Sequence, residues 1–186
     1  MAKVVIRERE DFSAAELADL LVWLEAAWDD QPGSWSQTHW QQIGPGPHFL
    51  IYDERGGLAA HACIGVLDVE AAELVLRTGY VEDVATRVDL RGRGLATALM
   101  RELMTWLRSA PDLELAALST GSHRFYGSFG WERWRGPSAV TEPNGSRTST
   151  PEEDGGIMIA RLPRTPSGLV LDGTICRARR DDVEAW

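Results

Sequence analysis

The chain has 186 residues and a formal net charge of −9, and 44% of its residues are hydrophobic. This length predicts a single domain, residues 1–186, with enough apolar side chains for a sizeable core. The acidic balance argues against a nucleic-acid partner, which would need clustered Lys and Arg; it suits a cationic ligand, although solubility alone also explains it.

The sequence indicates neither a membrane span nor secretion. No apolar run approaches the roughly 18 residues of a membrane-spanning helix, and the N-terminus lacks a signal-peptide pattern. Cys63 and Cys176 are the only two cysteines, and they lack the spacing of metal ligands. We therefore expect a reduced, cytoplasmic protein with no membrane partner.

The N-terminal third of the chain predicts strands, helices and a hairpin. Ser13 and Glu16 form a capping-box pattern, which predicts a helix from there to about Trp28. A second short helix is predicted over residues 36–40, followed by a Gly-Pro turn at residues 44–47. Three strands are predicted in this region: Val4–Glu8, His48–Asp53 and Leu58–Leu67.

The middle of the chain is its most informative stretch. Leu74–Thr86 predicts a long strand that is interrupted at Gly79 and at Glu82-Asp83, where the alternation of apolar residues breaks. The following loop, residues 91–96, reads Arg-Gly-Arg-Gly-Leu-Ala and leads into an amphipathic helix. Glycines in such a loop allow a positive φ, and the helix N-terminus behind them suits a phosphate group.

Several kinds of loop compete for residues 91–96. A P-loop would need Gly-Lys-Ser/Thr at the start of the helix, which is missing here. A dinucleotide-binding fingerprint would need a third glycine where this chain has Thr97. The pattern Arg/Gln-x-x-Gly-x-Gly/Ala fits the loop, and an ordinary strand–turn–helix without a ligand stays open as well. The helix is predicted to end near Arg108.

The C-terminal half predicts more strands around a long connection. Residues 136–156 are rich in Pro, Gly, Ser and Thr, and such long connections are often functional. The basic run at residues 177–180 is interpreted as a solvated tail segment. The elements predicted here are the strands Leu113–Ser119, Ile157–Leu162 and Leu169–Arg177 and the short helix His123–Phe129. Together the elements predict a mixed α/β (α+β) fold.

Two segments resemble the GNAT superfamily of acetyl-CoA-dependent N-acetyltransferases. They are the loop at residues 91–96 and the later run that joins Tyr126 to Gly130-Trp131. The resemblance implies a central, mixed, strongly twisted and mostly antiparallel sheet, flanked by helices and splayed at a bulged central strand. It also implies acetyl-CoA as the co-substrate and no metal. The four histidines show no ligand spacing either: His39, His48, His61 and His123.

Within that superfamily, the chain is similar to the aminoglycoside 2'-N-acetyltransferases. The similarity implies transfer of an acetyl group to the 2'-amine of an aminoglycoside antibiotic, with resistance as the outcome. Because such enzymes are often dimeric, a homodimer is a further expectation. The matching segments are Gly79–Ala85, Tyr126–Trp131, Gly136–Ser138, Thr150–Gly155 and a tail with Asp182, Val183 and Trp186.

The resemblance implies roles for individual residues. Glu82 would be the general base, acting through water, and Tyr126 would protonate the leaving thiolate. The cofactor-binding set would be Val84, Ala85, Arg91, Gly92, Arg93, Gly94, Leu95, Ala96 and Tyr126. The substrate-binding set would be Trp35, His39, Glu82, Asp83, Ser119, Glu153, Asp182 and Trp186, the last through its C-terminal carboxylate.

The substrate-binding set departs from the family pattern near the N-terminus. Where the family has acidic residues, this chain has Ser34 and His39, although Asp29 and Asp30 lie nearby in the sequence. A less cationic aminoglycoside of the kasugamycin kind would tolerate that loss. Two alternatives stay open: an N-acetyltransferase for a peptide N-terminus, a polyamine or a small metabolite, and a catalytically silent sensor of acetyl-CoA.

Overall fold

The computed structural model describes residues 2–28, 46–179 and 186. The chain divides into two compact units, which are described in turn. Unit 1 comprises Met1–Gly65 and Val81–Trp106, and unit 2 comprises Val66–Tyr80 and Leu107–Trp186. The expectation of a single domain stays a prediction.

Unit 1 is built on a small antiparallel sheet. Its strands are β1 (Val4–Glu8), β2 (Pro47–Tyr52), the first part of β3 (Leu58–Ala71) and the last part of β4 (Leu74–Thr86). They follow one another in the order β1-β2-β3-β4, and the pairs β1–β2 and β2–β3 are antiparallel. Since β4 ends at Thr86, the glycine loop follows this strand after one short 3₁₀ helix, Val88–Leu90.

Two helices complete unit 1. Helix α1 (Ala14–Trp28) begins at the predicted capping box, because the Ser13 amide donates to the Glu16 carboxylate at 2.8 Å and the Glu16 amide donates to the Ser13 hydroxyl at 3.3 Å. Helix α2 (Leu95–Ser109) begins immediately after the glycine loop. Helix α1 packs Leu20, Leu24 and Ala27 into one apolar cluster with Cys63 of β3 and Ala85 of β4.

Unit 2 contains the longer part of the sheet. Its own strands are β5 (Leu115–Ser119), β6 (Glu132–Arg133), β7 (Ser138–Thr141), β8 (Arg147–Ser149), β9 (Ile157–Arg161) and β10 (Ile175–Ala178). With β3 and β4 they follow the order β6-β9-β5-β4-β3-β10-β7-β8. The β4–β5 and β7–β10 pairs are parallel, whereas β5–β9, β6–β9, β7–β8 and β3–β10 are antiparallel. A short helix α3 (His123–Gly127) follows β5.

The mixed, mostly antiparallel α/β fold is confirmed. The bounds of β1 and β4 agree with the prediction, and β3 continues four residues beyond Leu67, to Ala71. Among the described residues no helix is both long and apolar enough to cross a membrane. The predicted helix at residues 36–40 lies outside the described residues.

The C-terminal half departs from the prediction in three ways. The long connection at residues 136–156 contains regular elements, namely β7, β8 and a 3₁₀ helix, Pro151–Glu153. The last strand covers only Ile175–Ala178, because residues 166–173 form turns and bends. The short strand β6 and the exposed β8 were not predicted, since their polar residues carry no apolar alternation.

Candidate functional site

The candidate base, Glu82, lies at an unusual point of β4. Glu82 is 5% exposed, and the next residue, Asp83, is 9% exposed with a φ of 50°. A positive φ is uncommon outside glycine, and Asp is among the residues that tolerate it. The predicted break in the strand at Glu82-Asp83 is therefore confirmed as a local left-handed turn of the backbone.

Side chains from β2 and β3 meet this turn. The His61 Nδ1 atom lies 3.1 Å from the Asp83 carbonyl oxygen, and the Cys63 thiol lies 3.7 Å from the Glu82 carbonyl oxygen. His48 continues the chain of contacts, with its Nδ1 atom 2.9 Å from His61 Nε2. All three side chains are buried.

Burial keeps both histidines neutral. It lowers the pKa of His48 to about 3 and that of His61 to about 4. Repulsion from His61, Arg9 and Arg7 lowers the pKa of His48 further, whereas the hydrogen bond to Asp83 opposes the shift of His61. Two uncharged imidazoles can share one hydrogen bond, which two protonated rings cannot.

The lack of ligand spacing in the sequence does not keep these side chains apart in the structure. His48, His61 and Cys63 bring one possible metal-ligand atom each to within 4.8 Å of the others. Strand pairing is responsible, because His48 lies opposite Cys63 in the β2–β3 register. The two ring nitrogens nearest each other are already joined by a hydrogen bond. The expectation that the protein uses no metal stays a prediction.

The neutral histidine pair predicts acid sensitivity of the fold. The unfolded chain takes up protons on both imidazoles as the pH falls through the ordinary value of 6.5, while the folded chain does not until about pH 4 and then 3. The histidines' contribution to the free energy of unfolding is therefore fully present above about pH 7. It is lost as the pH falls, by roughly 2 kcal/mol for each histidine at pH 5. Urea unfolding at pH 7.5 and pH 5 measures this loss. The double variant His48→Asn, His61→Asn should show a much smaller one; an equal loss in both proteins would assign the effect to carboxylates.

The glycine loop has the backbone conformation that its sequence predicts. Gly92 and Gly94 have φ values of 76° and 78°, which side-chain-bearing residues rarely adopt. A Cβ atom at either position would meet no atom within 4 Å, so backbone conformation rather than crowding calls for glycine. The Gly94 carbonyl accepts the Ala98 amide at 3.0 Å, which places Gly94 at the N-cap of α2. The first amides of α2 therefore point out of the helix end towards any bound anion.

The two arginines of the loop bind the protein itself. The Arg91 guanidinium donates to the carbonyl oxygens of Ala27 at 2.9 Å and Thr86 at 3.4 Å, and Arg93 donates to that of Asp89 at 3.3 Å. The main-chain amides are therefore the groups that the loop can offer most directly to an anion. Ala85, another predicted cofactor contact, has its side chain in the cluster under α1 and can reach a ligand through its backbone.

Tyr126, the candidate acid, lies on α3 in unit 2. It is 8% exposed and packs edge-to-face against Phe125, with ring centroids 5.0 Å apart, and against Trp131 at 6.1 Å. Burial raises the pKa of Tyr126 to about 12. The phenol therefore keeps its proton throughout the physiological pH range and can donate it to a hydrogen bond.

A second group of predicted residues meets at the end of β5. The Ser119 hydroxyl donates to Glu153 Oε2 at 3.2 Å, so the 3₁₀ helix and β5 bring these two residues together. Burial raises the pKa of Glu153, while the Ser119 hydrogen bond and the nearby charge of Arg177 oppose that rise. This half-buried carboxylate is a suitable partner for a ligand amine or hydroxyl group.

Sequence reasoning missed Arg177. It was interpreted as part of a solvated tail, but it is 2% exposed, because β10 lies between β3 and β7. Its guanidinium carbon lies 4.8 Å from the ring centre of Tyr80 and 5.7 Å from that of Trp186. The apolar run Ile175-Cys176 directly before it is the signal that could have placed it in a buried strand. Trp186 itself is 5% exposed and belongs to the apolar cluster of unit 2.

The remaining predicted substrate residues lie outside the described residues. They are Trp35, His39 and Asp182, together with the neighbouring positions Asp29, Asp30 and Ser34. Their roles stay predictions.

Comparisons with known proteins give the family. A model of the acetyltransferase (GNAT) family matches residues 14–131. The aminoglycoside 2'-N-acetyltransferase of Mycolicibacterium fortuitum is 38% identical over 154 residues, which cover 81% of this chain and 77% of that protein.

Solved structures share the fold. The GNAT family N-acetyltransferase YhbS of Escherichia coli, crystallised with CoA, matches with a TM-score of 0.63 at 15% identity, covering 95% of this chain and 90% of that one. A probable N-acyltransferase of Enterococcus faecalis V583 matches with a TM-score of 0.56 at 16% identity over 71% of this chain, which spans only 33% of that longer chain. The expected GNAT fold is confirmed. The chain therefore belongs to the acetyltransferase (GNAT) family, and it is an acetyl-CoA-dependent N-acetyltransferase.

Proposed function

We propose that the protein transfers the acetyl group of acetyl-CoA to the 2'-amino group of an aminoglycoside. The observation that carries this proposal is the 38% identity, over 81% of the chain, to the aminoglycoside 2'-N-acetyltransferase of M. fortuitum. The buried Glu82 and the half-buried Glu153 support it, since both are carboxylates suited to a cationic amino sugar.

Acetyl-CoA is assigned to the glycine loop and the start of α2. The positive φ values of Gly92 and Gly94 let the main chain approach a pyrophosphate, and the α2 N-terminus adds amide donors and the positive end of the helix dipole. Val84 and the backbone of Ala85 would contact the pantetheine arm. The match to YhbS, which was crystallised with CoA, supports CoA as the ligand.

The proposed reaction is a direct transfer. A sugar amine has a pKa of about 7.7–8, like an α-amino group, so much of it is protonated at neutral pH. Glu82 removes the ammonium proton through a water molecule, and the free amine attacks the thioester carbonyl carbon. The carbon–sulfur bond then breaks, and CoA leaves as a thiolate that takes up a proton. Neither Cys63 nor Cys176 is accessible as an acetyl acceptor, since both are buried.

The resemblance implied that Tyr126 protonates the leaving thiolate; we propose instead that it donates a hydrogen bond to the leaving sulfur. With a pKa of about 12, its phenol is a much weaker acid than a thiol, whose pKa is about 8.5. Complete transfer of the phenol proton to a free thiolate would therefore be uphill by roughly 5 kcal/mol. A donated hydrogen bond avoids that cost. The thiolate then takes up the proton that the attacking nitrogen loses as the amide forms.

The variant Tyr126→Phe should lower kcat by about tenfold to a hundredfold, which is the effect of losing one hydrogen bond to a charged group. The KM values should change less, because the sulfur is neutral in the bound thioester and gains negative charge only as the carbon–sulfur bond breaks. Steady-state kinetics measures both. A wild-type rate that falls between pH 8 and 10 through ionisation of Tyr126 would contradict this role, because the raised pKa keeps the phenol protonated there.

Kasugamycin-type aminoglycosides are the proposed substrates. Each ammonium–carboxylate contact that is missing at Ser34 and His39 removes roughly 1.5–3 kcal/mol of binding free energy if it is buried. Two such losses weaken the binding of a polycationic drug by one to several orders of magnitude. Kasugamycin carries fewer ammonium groups and an acidic group.

A thiol-release assay against a panel of amines tests the proposal. We expect kcat/KM for kasugamycin to equal or exceed the values for gentamicin and tobramycin. A preference above tenfold for gentamicin or tobramycin would contradict the kasugamycin assignment but keep the aminoglycoside class. Turnover of peptide N-termini or polyamines without any aminoglycoside would contradict the class itself.

A further inference from the structure

Two consecutive carbonyl groups of β4 are bound by side chains of β3. The Glu82 carbonyl accepts the Cys63 thiol at 3.7 Å, and the Asp83 carbonyl accepts the His61 ring at 3.1 Å. Asp83 has the left-handed backbone conformation, which costs an Asp more than ordinary strand geometry and which contacts from its surroundings can stabilise. These two hydrogen bonds are such contacts.

Hydrogen-bond chemistry determines the proton positions in this group. A carbonyl oxygen only accepts, so His61 must carry its proton on Nδ1. The neutral ring then has an unprotonated Nε2, which must accept, and His48 must therefore donate to it from its own Nδ1. The result is a directed relay in which His48 donates to His61 and His61 donates to the backbone of Asp83.

The relay bears on Glu82 because successive strand residues point to opposite faces. A residue in the left-handed conformation changes that alternation, so the directions of the side chains on either side of Asp83 depend on the φ of Asp83. If the Asp83 carbonyl lost its donor, the backbone could relax towards ordinary strand geometry. Glu82 would then turn away from its present direction, although its carboxylate would be chemically unchanged.

We infer that His61 and His48 are positioning residues, which hold the turn at Asp83 and thereby aim Glu82 at its substrate. This inference rests on the proposed role of Glu82 as the base. Neither histidine touches the reacting atoms, and neither needs to change its protonation state during turnover.

Paired substitutions at His61 test the inference. Asn places an amide donor close to the position of histidine Nδ1, whereas Leu fills a similar volume without a donor. We expect His61→Asn to keep kcat within about threefold of wild type and His61→Leu to lower it by about tenfold to a hundredfold, with KM for acetyl-CoA within about twofold in both. Equal loss in the two variants, or a loss confined to KM, would overturn the inference.

A second pair covers the case in which His61→Leu does not fold. His48→Asn keeps a donor to His61, and His48→Leu removes it, while the contact of His61 with Asp83 stays in place. Kcat should fall by about threefold to tenfold for Leu and by less for Asn, since the outer link acts only through His61. The opposite order would overturn the relay.

Nuclear magnetic resonance of the wild-type protein labelled with ¹⁵N-histidine tests the relay without any substitution. Both buried rings should be neutral and protonated on Nδ1, which is readable from the ring nitrogen shifts. A proton on Nε2 of His61, or a stoichiometric zinc ion that is lost in the His48 variants, would overturn the inference. These readouts do not depend on acetyl transfer, so they separate failure of the relay from failure of the proposed function.

Discussion

Gly94→Asp is expected to abolish acetyl-CoA binding without unfolding the protein. The φ of 78° is one that Asp tolerates better than most residues, and a Cβ atom there meets nothing within 4 Å. The new carboxylate would lie at the N-terminus of α2, where the pyrophosphate is proposed to bind. Two negative charges about 4 Å apart repel by roughly 4 kcal/mol at an effective dielectric constant near 20, which is about a thousandfold in affinity.

Two further variants separate charge from backbone strain. Gly94→Asn has the same shape without the charge and should weaken binding far less. Gly56→Asp lies in the β2–β3 hairpin at a φ of 81°, also in open space, so it carries the same strain away from the loop. Calorimetric titration with CoA compares the three. Wild-type affinity in Gly94→Asp would show that the loop does not hold the pyrophosphate.

Glu82→Gln is expected to lower kcat by about a hundredfold to ten-thousandfold, the usual range for removing a general base. Gln has nearly the same shape and can keep hydrogen bonds, but it cannot take up the ammonium proton. Acetyl-CoA affinity should stay at the wild-type value, because Glu82 is not assigned to the cofactor. Steady-state kinetics and a CoA titration on the same preparation measure the two effects.

The pH dependence of Glu82→Gln gives a sharper test than the rate alone. Above about pH 8 most of the substrate amine is already free, so a base is needed less. The ratio of wild-type kcat to Glu82→Gln kcat should therefore become smaller as the pH rises from 6 to 9. A ratio that stays constant over this range would mean that Glu82 acts in some other way than by removing the ammonium proton. Glu82→Asp keeps a carboxylate on a shorter side chain, so its kcat should lie between those of the wild type and Glu82→Gln.

Local signals in the sequence predicted those parts of the structure that depend on neighbours along the chain. The capping box at Ser13 and Glu16, the positive φ of Gly92 and Gly94, and the interruption of β4 at Glu82-Asp83 each arise from residues close in sequence. Each has a physical cause that a few residues carry by themselves: a side-chain cap, a missing Cβ, or a broken alternation.

Contacts made by strand pairing were beyond the same reasoning. His48 and His61 meet because β2 and β3 pair in one particular register, and a different register would have separated them. Arg177 is buried because β10 enters the sheet between two other strands, and that place in the order follows from strand pairing rather than from neighbours along the chain. The pairing of Ser119 with Glu153 likewise depends on a connection whose short strands have little apolar content.

Because both cysteines are buried, a reagent that develops colour on reacting with thiols should distinguish released CoA from the thiols of the native protein. Cys63 is 1% exposed and Cys176 is 2% exposed, so the native protein should contribute almost no signal, and any absorbance that develops during turnover comes from released CoA. When the same reagent is added in denaturant, two further equivalents per chain should react. One reagent thus counts product in the native enzyme and follows global opening of the fold when substrate is left out, which gives every variant described above an internal check that it was folded while it was assayed.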